Sequence, residues 1–115
     1  MSAAQAIGQF RASWNEEIVP GATSEGRRRL LSGWSEVIAG QKLDARRVDC
    51  AEGHARVRDT LGPNETDLVL FSSIQAFDRS GPCWEVVAVR GFNSILGYID
   101  AKTGALAFAW LVPEG

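Results

Sequence analysis

The period of the hydrophobic pattern changes near residue 66, and this change constrains the fold more than any other feature. Before it, apolar residues recur every three or four positions, which is typical of helices with one buried stripe. After it, short apolar segments alternate with Gly, Pro, Asp and Asn, which is typical of strands joined by turns. The sequence therefore predicts a single α+β domain over 1–115, helical in 1–66 and an antiparallel sheet in 67–115.

The helical part is expected to contain two or three helices. The first covers about 3–19 with Ser2 as its N-cap. The second covers about 24–39, with Thr23 or Ser24 as its N-cap and Gly40 as a left-handed C-cap. Four residues with helical spacing predict a short third helix in 41–66: Cys50, His54, Val57 and Leu61.

The second part is expected to form four strands in a meander, with the helices packed on one face of the sheet. The strands cover 67–77, 83–90, 95–100 and 105–112. In the last of them, the side chains of Leu106, Phe108, Trp110 and Val112 should point one way and the alanines between them the other. Neither side of this strand is polar, so the uncovered sheet face would need a partner, such as a second copy of the chain.

Composition limits the classes of partner and the compartment. Twelve basic and fourteen acidic residues give a net charge of −2, which argues against a nucleic-acid binder, because phosphates require basic charge. No apolar stretch approaches the roughly 20 residues of a membrane span, and no secretory signal is visible. The sequence therefore predicts a cytoplasmic protein in which Cys50 and Cys83 are buried free thiols.

The C-terminal third resembles the PepSY domain. Trp84-Glu85-Val86-Val87 matches a WEV strand, and the run from Tyr98 through Asp100 and Thr103-Gly104 to Leu106 matches the strand and turn that follow it in that family. The resemblance implies a cystatin-like sheet packed on a helix, and it implies protein binding. PepSY domains begin with one helix and usually follow a signal peptide, whereas this chain places two or three helices first.

The sequence shows no catalytic motif, and no cofactor or metal site is predicted. Cys50 and the only histidine, His54, could share a helix face as a nucleophile pair, but a buried cysteine beside a surface histidine is the simpler interpretation. Glu85 is expected at an exposed position of the sheet, and Asp100 is expected to form a turn.

Seven residues are the candidates for binding a partner: Trp84, Glu85, Arg90, Tyr98, Trp110, Arg27 and Arg28. The run Arg27-Arg28-Arg29 is either a basic patch or a solvated helix face. Trp14, Trp34, Trp84 and Trp110 either share the core or place one strand tryptophan at an interface, where this residue is favoured.

These features favour a non-enzymatic protein-binding module, for example an inhibitor or an immunity-type partner of another protein. The alternative is a small cone-shaped domain that binds a ligand or carries out a reaction, with Trp34, Trp84, Phe108 and Trp110 lining a pocket between helices and sheet. A third hypothesis is a homodimer that pairs two open sheet faces.

Overall fold

The computed structural model describes residues 1–40, 42–60, 68–73 and 81–112. Helices in these ranges pack with a five-stranded antiparallel sheet, so the predicted α+β class is confirmed. The elements are α1 (Ala3–Ser13), a π-helical turn (Trp14–Ile18), α2 (Glu25–Gly40), β1 (Asp44–Asp49), α3 (Cys50–Thr60), β2 (Val69–Ser72), β3 (Pro82–Arg90), β4 (Asn93–Asp100) and β5 (Leu106–Val112).

The helix starts are capped as the sequence predicts. The Ser2 hydroxyl accepts a hydrogen bond from the Gln5 backbone N–H, and the Gln5 side chain accepts one from the Ser2 backbone, which completes a capping box. The Ser24 hydroxyl accepts a bond from the Arg27 backbone N–H at the start of α2. The left-handed cap predicted for Gly40 is wrong, because α2 includes Gly40 and the described residues with positive φ are Gly91 and Gly104.

A π-helical turn continues α1 at Trp14, where the sequence predicts one regular helix to residue 19. Phe10, Trp14 and Ile18 are nevertheless all buried, so the predicted apolar stripe is confirmed. The Trp14 indole N–H donates to the Ser35 hydroxyl of α2 at 3.1 Å, which joins the two helices.

The strand order across the sheet is β1-β3-β4-β5-β2. The strands β3, β4 and β5 form the meander that the sequence predicts. The expected place of the first strand is wrong, because β2 pairs with β5 (Val69 opposite Trp110) and β1 occupies the free edge of β3 (Ala45 opposite Val86). Of the stretch 67–77, residues 67 and 74–77 lie outside the described ranges.

The strand β1 lies inside the part that was predicted to be helical. Its sequence, DARRVD, contains four charged residues, and four of its six positions are exposed. Because β1 is an edge strand, it buries little on either face and shows no apolar alternation. The third helix predicted around Cys50 is confirmed as α3, whereas Leu61 lies outside the described residues.

Helices lie on both faces of the sheet, so the prediction that they share one face is wrong for α3. The first face carries α1 and α2, and its core includes Phe10, Trp34, Val86, Ile95 and Ile99. The second face carries α3, and its core includes Cys50, Cys83, Tyr98, Phe108 and Trp110. The face that the sequence leaves for a partner is thus partly covered by the chain's own helix.

A bulge in β5 changes which side chains share a face. Phe108 pairs with Tyr98, but Leu106 pairs with Ile99, so Ala107 is an extra residue between them. Leu106 therefore packs in the core of the first face, and the prediction that it points with Phe108 is wrong.

Gly97 lets α1 approach β4 closely. It lies on the first face, and the Phe10 ring occupies the space that a Cβ at residue 97 would need, with Phe10 Cζ 3.1 Å from that position. Phe10 itself is fully buried. The absence of a side chain at Gly97 therefore leaves the space that the Phe10 ring of α1 fills.

The turn between β4 and β5 has the form that the sequence predicts. One carboxylate oxygen of Asp100 accepts hydrogen bonds from the backbone N–H groups of Lys102 and Thr103. Gly104 has φ +77°, which side-chain-bearing residues rarely adopt. The prediction that Asp100 forms a turn is confirmed.

Candidate functional site

A disulfide joins Cys50 to Cys83, so the prediction of free thiols is wrong. The pairing of β1 with β3 places Val48 opposite Cys83, and Cys50 follows two residues later as the first residue of α3. The two Cα atoms are 5.1 Å apart. Because the Cys50 sulfur is committed to this bond, it does not form a nucleophile pair with His54.

Glu85 is buried on the second face beside this disulfide, with 4% of its surface exposed, so its predicted exposed position is wrong. One carboxylate oxygen accepts a hydrogen bond from Arg46 Nε at 2.8 Å, and the other accepts one from the Tyr98 hydroxyl at 2.8 Å. A buried carboxylate is tolerated when such partners replace water. The side chain of Arg46 is 62% exposed, so this network connects the interior to the surface.

The helix α3 covers this network through a glycine. A Cβ on Gly53 would lie 2.9 Å from Tyr98 Cε1, closer than such atoms normally approach. Glycine in the middle of a helix usually weakens it. Here the missing side chain allows the Tyr98 ring to lie directly under α3.

Removing the Tyr98 hydroxyl with Tyr98→Phe should lower the free energy of unfolding by about 1–3 kcal/mol, because a buried carboxylate loses a hydrogen-bond donor. Urea unfolding measures the change. The control is Arg46→Gln, which should have the smaller effect, because water can replace a mostly exposed guanidinium. A larger loss for Arg46→Gln than for Tyr98→Phe would contradict this account of the network.

The second face continues past α3 into an apolar surface at the turn between β3 and β4. We call this surface the hairpin tip: the strand register places Val87, Val89, Leu96 and Val112 on the second face, and Phe92 lies in the turn that joins β3 to β4. Val89 is 52% exposed and Phe92 is 82% exposed, while the other three are half-buried. Among the described residues, Met1 and Val19 are the other exposed large hydrophobic side chains.

Sequence reasoning missed the hairpin tip, although the sequence contains a signal for it. Phe92 follows Gly91 in a two-residue turn, and Gly91 has the positive φ of 61° that glycine supplies at such turns. The second position of a short hairpin turn is usually small or polar. A phenylalanine there is the unusual feature.

The structure brings three of the seven candidate residues to the second face and separates the others. Glu85 and Tyr98 are in contact, and Trp110 is 4% exposed in the same cluster. Trp84 packs on the first face, where the Arg47 guanidinium lies 5.4 Å from its ring centroid.

The candidate arginines do not form one patch. Arg90 lies against Gly33 of α2. Arg27 donates to the carbonyl of Val69, and Arg28 donates to the carbonyl of Ala22. Each guanidinium therefore has its own contact with the backbone or with a helix of this chain.

Two further properties bear on the class of site. Within the part of the chain that the structure describes, no cluster of three or more His, Cys, Asp or Glu residues could hold a metal ion. None of the helices in that part is both long enough and apolar enough to cross a membrane.

Comparisons with family models, curated proteins and solved structures give no match.

Proposed function

We propose that this chain is a non-enzymatic protein-binding module that contacts another protein through the hairpin tip. The observation that carries the proposal is the exposure of Phe92 (82%) and Val89 (52%) on one hairpin. Exposed aromatic and aliphatic side chains gain little from folding, and clusters of them mark interaction sites. Aromatic residues are also the side chains that most often dominate binding energy.

The surroundings of the hairpin tip fit a docking surface. The tip belongs to a hairpin between β3 and β4, whose eight paired positions make a rigid support. Asp44 lies opposite Val87 at the sheet edge, and Asn93 follows the turn; both are exposed. An apolar centre with a polar rim is the usual anatomy of a protein interface.

We favour another protein over a second copy as the occupant. The reason for a homodimer was a sheet face without cover, and α3 covers part of that face. The hairpin tip remains exposed at one end of the sheet. A small apolar surface of this kind fits into a pocket of a partner. An inhibitor or immunity-type role, as the sequence suggests, is the form of this proposal that we favour.

The cellular location is a separate part of the proposal. The sequence predicts the cytoplasm, and this stays a prediction. A buried disulfide such as Cys50–Cys83 is more typical of oxidising compartments. Fractionation of the source cells, with alkylation of free thiols at lysis, would test location and disulfide state together.

The test compares capture from an extract of the source cells by three versions of the protein. Wild type and the control Val19→Ser, which removes an exposed hydrophobic side chain elsewhere, should recover one protein in near-stoichiometric amounts. The double variant Val89→Ser/Phe92→Ser should recover at least tenfold less. Titration of the purified partner should then show a Kd at least tenfold weaker for the double variant, as expected for a central apolar anchor.

Three outcomes would count against the proposal. Equal recovery by all versions would place the contact elsewhere. Absence of a stoichiometric partner would remove protein binding. A mass that doubles with concentration in light scattering, and that Phe92→Ser abolishes, would assign the hairpin tip to a second copy.

One observation favours a ligand-binding role as the second candidate. The indole N–H of Trp110 is buried on the second face and has no acceptor among the described residues. A buried donor without an acceptor is unfavourable, so an acceptor on a small ligand would be stabilised there. However, Trp34 and Trp84 pack on the first face, so the four aromatic residues do not line one pocket. A fluorescence screen of Trp110→Phe against wild type distinguishes this candidate, because only a ligand at this site binds more weakly to the variant.

A further inference from the structure

We infer that the Cys50–Cys83 disulfide fastens α3 over the second face, so that a thiol reductant turns the buried aromatic cluster beneath it into exposed apolar surface. This inference concerns control of the second face. It does not depend on the hairpin tip being the docking surface.

Several attachments of α3 to the rest of the chain lie at its start. The disulfide holds its first residue, Cys50, whose backbone N–H also donates to the carbonyl of Gly81 at 2.9 Å. One carboxylate oxygen of Asp49 caps the N–H groups of Ala51 and Glu52. These bonds all lie within the first turn.

Further along α3, Gly53 makes a close approach to the sheet. Gly53 is buried against Tyr98, but it contributes no side chain. His54 and Ala55 are half-buried, and Asp59 is exposed. Besides the peptide bond from Asp49 to Cys50, the disulfide is the covalent link between α3 and the sheet in the described residues.

The cluster of the second face that contains Cys50 is strongly apolar. Tyr98, Phe108 and Trp110 are 1%, 6% and 4% exposed and form one cluster with the two cysteines. Lifting α3 would uncover the Tyr98 ring first, since Gly53 lies on it. The Tyr98 hydroxyl and the Glu85 carboxylate would then become accessible to water or to a binding partner.

The chemical step is a thiol–disulfide exchange with a dithiol. A thiolate of the dithiol attacks one of the two sulfurs, the Cys50–Cys83 bond breaks, and a mixed disulfide forms. The second thiol of the reductant displaces the protein sulfur. The protein gains two thiols, and the dithiol is oxidised to its own disulfide, so two electrons and two protons pass to the protein.

The burial of both sulfurs sets the order of events. Cys50 is 1% exposed and Cys83 is fully buried, so a reductant reaches them only after α3 has moved locally. Reduction should therefore be slow in the folded protein. Its rate should reach a plateau at high dithiol concentration, where opening of α3 becomes limiting.

Hydrogen exchange with mass spectrometry tests the inference on oxidised protein, on protein reduced with dithiothreitol, and on Cys50→Ala/Cys83→Ala. In the last two samples, amides of α3 should exchange at least tenfold faster. Amides of β3, β4 and β5 should lose no more protection than the lower free energy of unfolding accounts for, and they should stay better protected than those of α3. Binding of a hydrophobic dye should rise. Unchanged exchange in α3 would overturn the inference. Equal protection of α3 and the sheet in the reduced protein would also overturn it, because α3 would then open only when the whole fold opens.

A second variant opens α3 without changing the cysteines. Gly53→Leu in the oxidised protein places a side chain where the Tyr98 ring lies, so α3 amides should again exchange faster and the dithiol should reduce the disulfide faster. The matched control is Gly26→Leu, a helical glycine of α2 with open space around its Cβ position, which should change neither rate. If the dithiol reduces the disulfide at the same rate in the two variants, α3 does not shield the disulfide as proposed.

Discussion

Replacing Phe10 with alanine should lower the free energy of unfolding by about 3–5 kcal/mol, the usual effect of removing a buried aromatic side chain. Phe10 is fully buried, and its ring fills the gap that Gly97 leaves in β4. Without the ring, a cavity would remain between α1 and β4 at the centre of the first face. Urea or thermal unfolding measures the loss, and the m-value should stay close to that of the wild type.

The partner change Gly97→Ala tests the same contact from the sheet side. The added Cβ overlaps the Phe10 ring, so this change should destabilise the protein by about 1–3 kcal/mol. In the Phe10→Ala background the same Cβ meets free space, and most of that penalty should disappear. If the two changes have additive effects on the free energy of unfolding, the proposed packing of the Phe10 ring against Gly97 is wrong. Gly8→Ala, at an α1 position with open space, is the control and should stabilise the helix slightly.

The second large effect is expected from loss of the disulfide. Cys50→Ala/Cys83→Ala should lower the free energy of unfolding by about 3–4 kcal/mol, because the bond closes a loop with a sequence separation of 33 and thus restricts the unfolded chain. Denaturant unfolding followed by far-ultraviolet circular dichroism measures the change. Wild type in excess dithiothreitol should reach a similar value, which separates the missing bond from the new alanine side chains. If the double variant and oxidised wild type have the same free energy of unfolding, the disulfide does not contribute the predicted stability.

Local patterns predicted the elements that bury one side and whose signals come from residues close together in the sequence. The stripe of α1, the caps at Ser2 and Ser24 and the strands β3 to β5 follow from residues near one another in the chain. The strand β1 did not follow, because an edge strand with four charged residues resembles a solvated helix or loop. The position of β2 depends on pairing with β5, about 40 residues away, which a local period does not encode.

The site was harder to predict than the fold because its parts meet only through these long-range pairings. The disulfide requires β1 beside β3, so without β1 the two cysteines had no reason to meet. Glu85 looked exposed because its neighbours in sequence are apolar, whereas its partners Arg46 and Tyr98 arrive from two other strands. Phe92 could have been found from sequence, since a turn rarely carries so large an apolar side chain.

The opposite positions of β1 and β2 in the sheet have a consequence for the length of α3. The chain leaves β1 at one edge and returns as β2 at the other edge, so the segment between them crosses the width of the sheet. Four interstrand spacings amount to about 19 Å. The 11 residues of α3 extend about 16 Å. The length of α3 is thus close to the width of the sheet, so the helix is long enough to carry the chain most of the distance from the edge at β1 to the edge at β2.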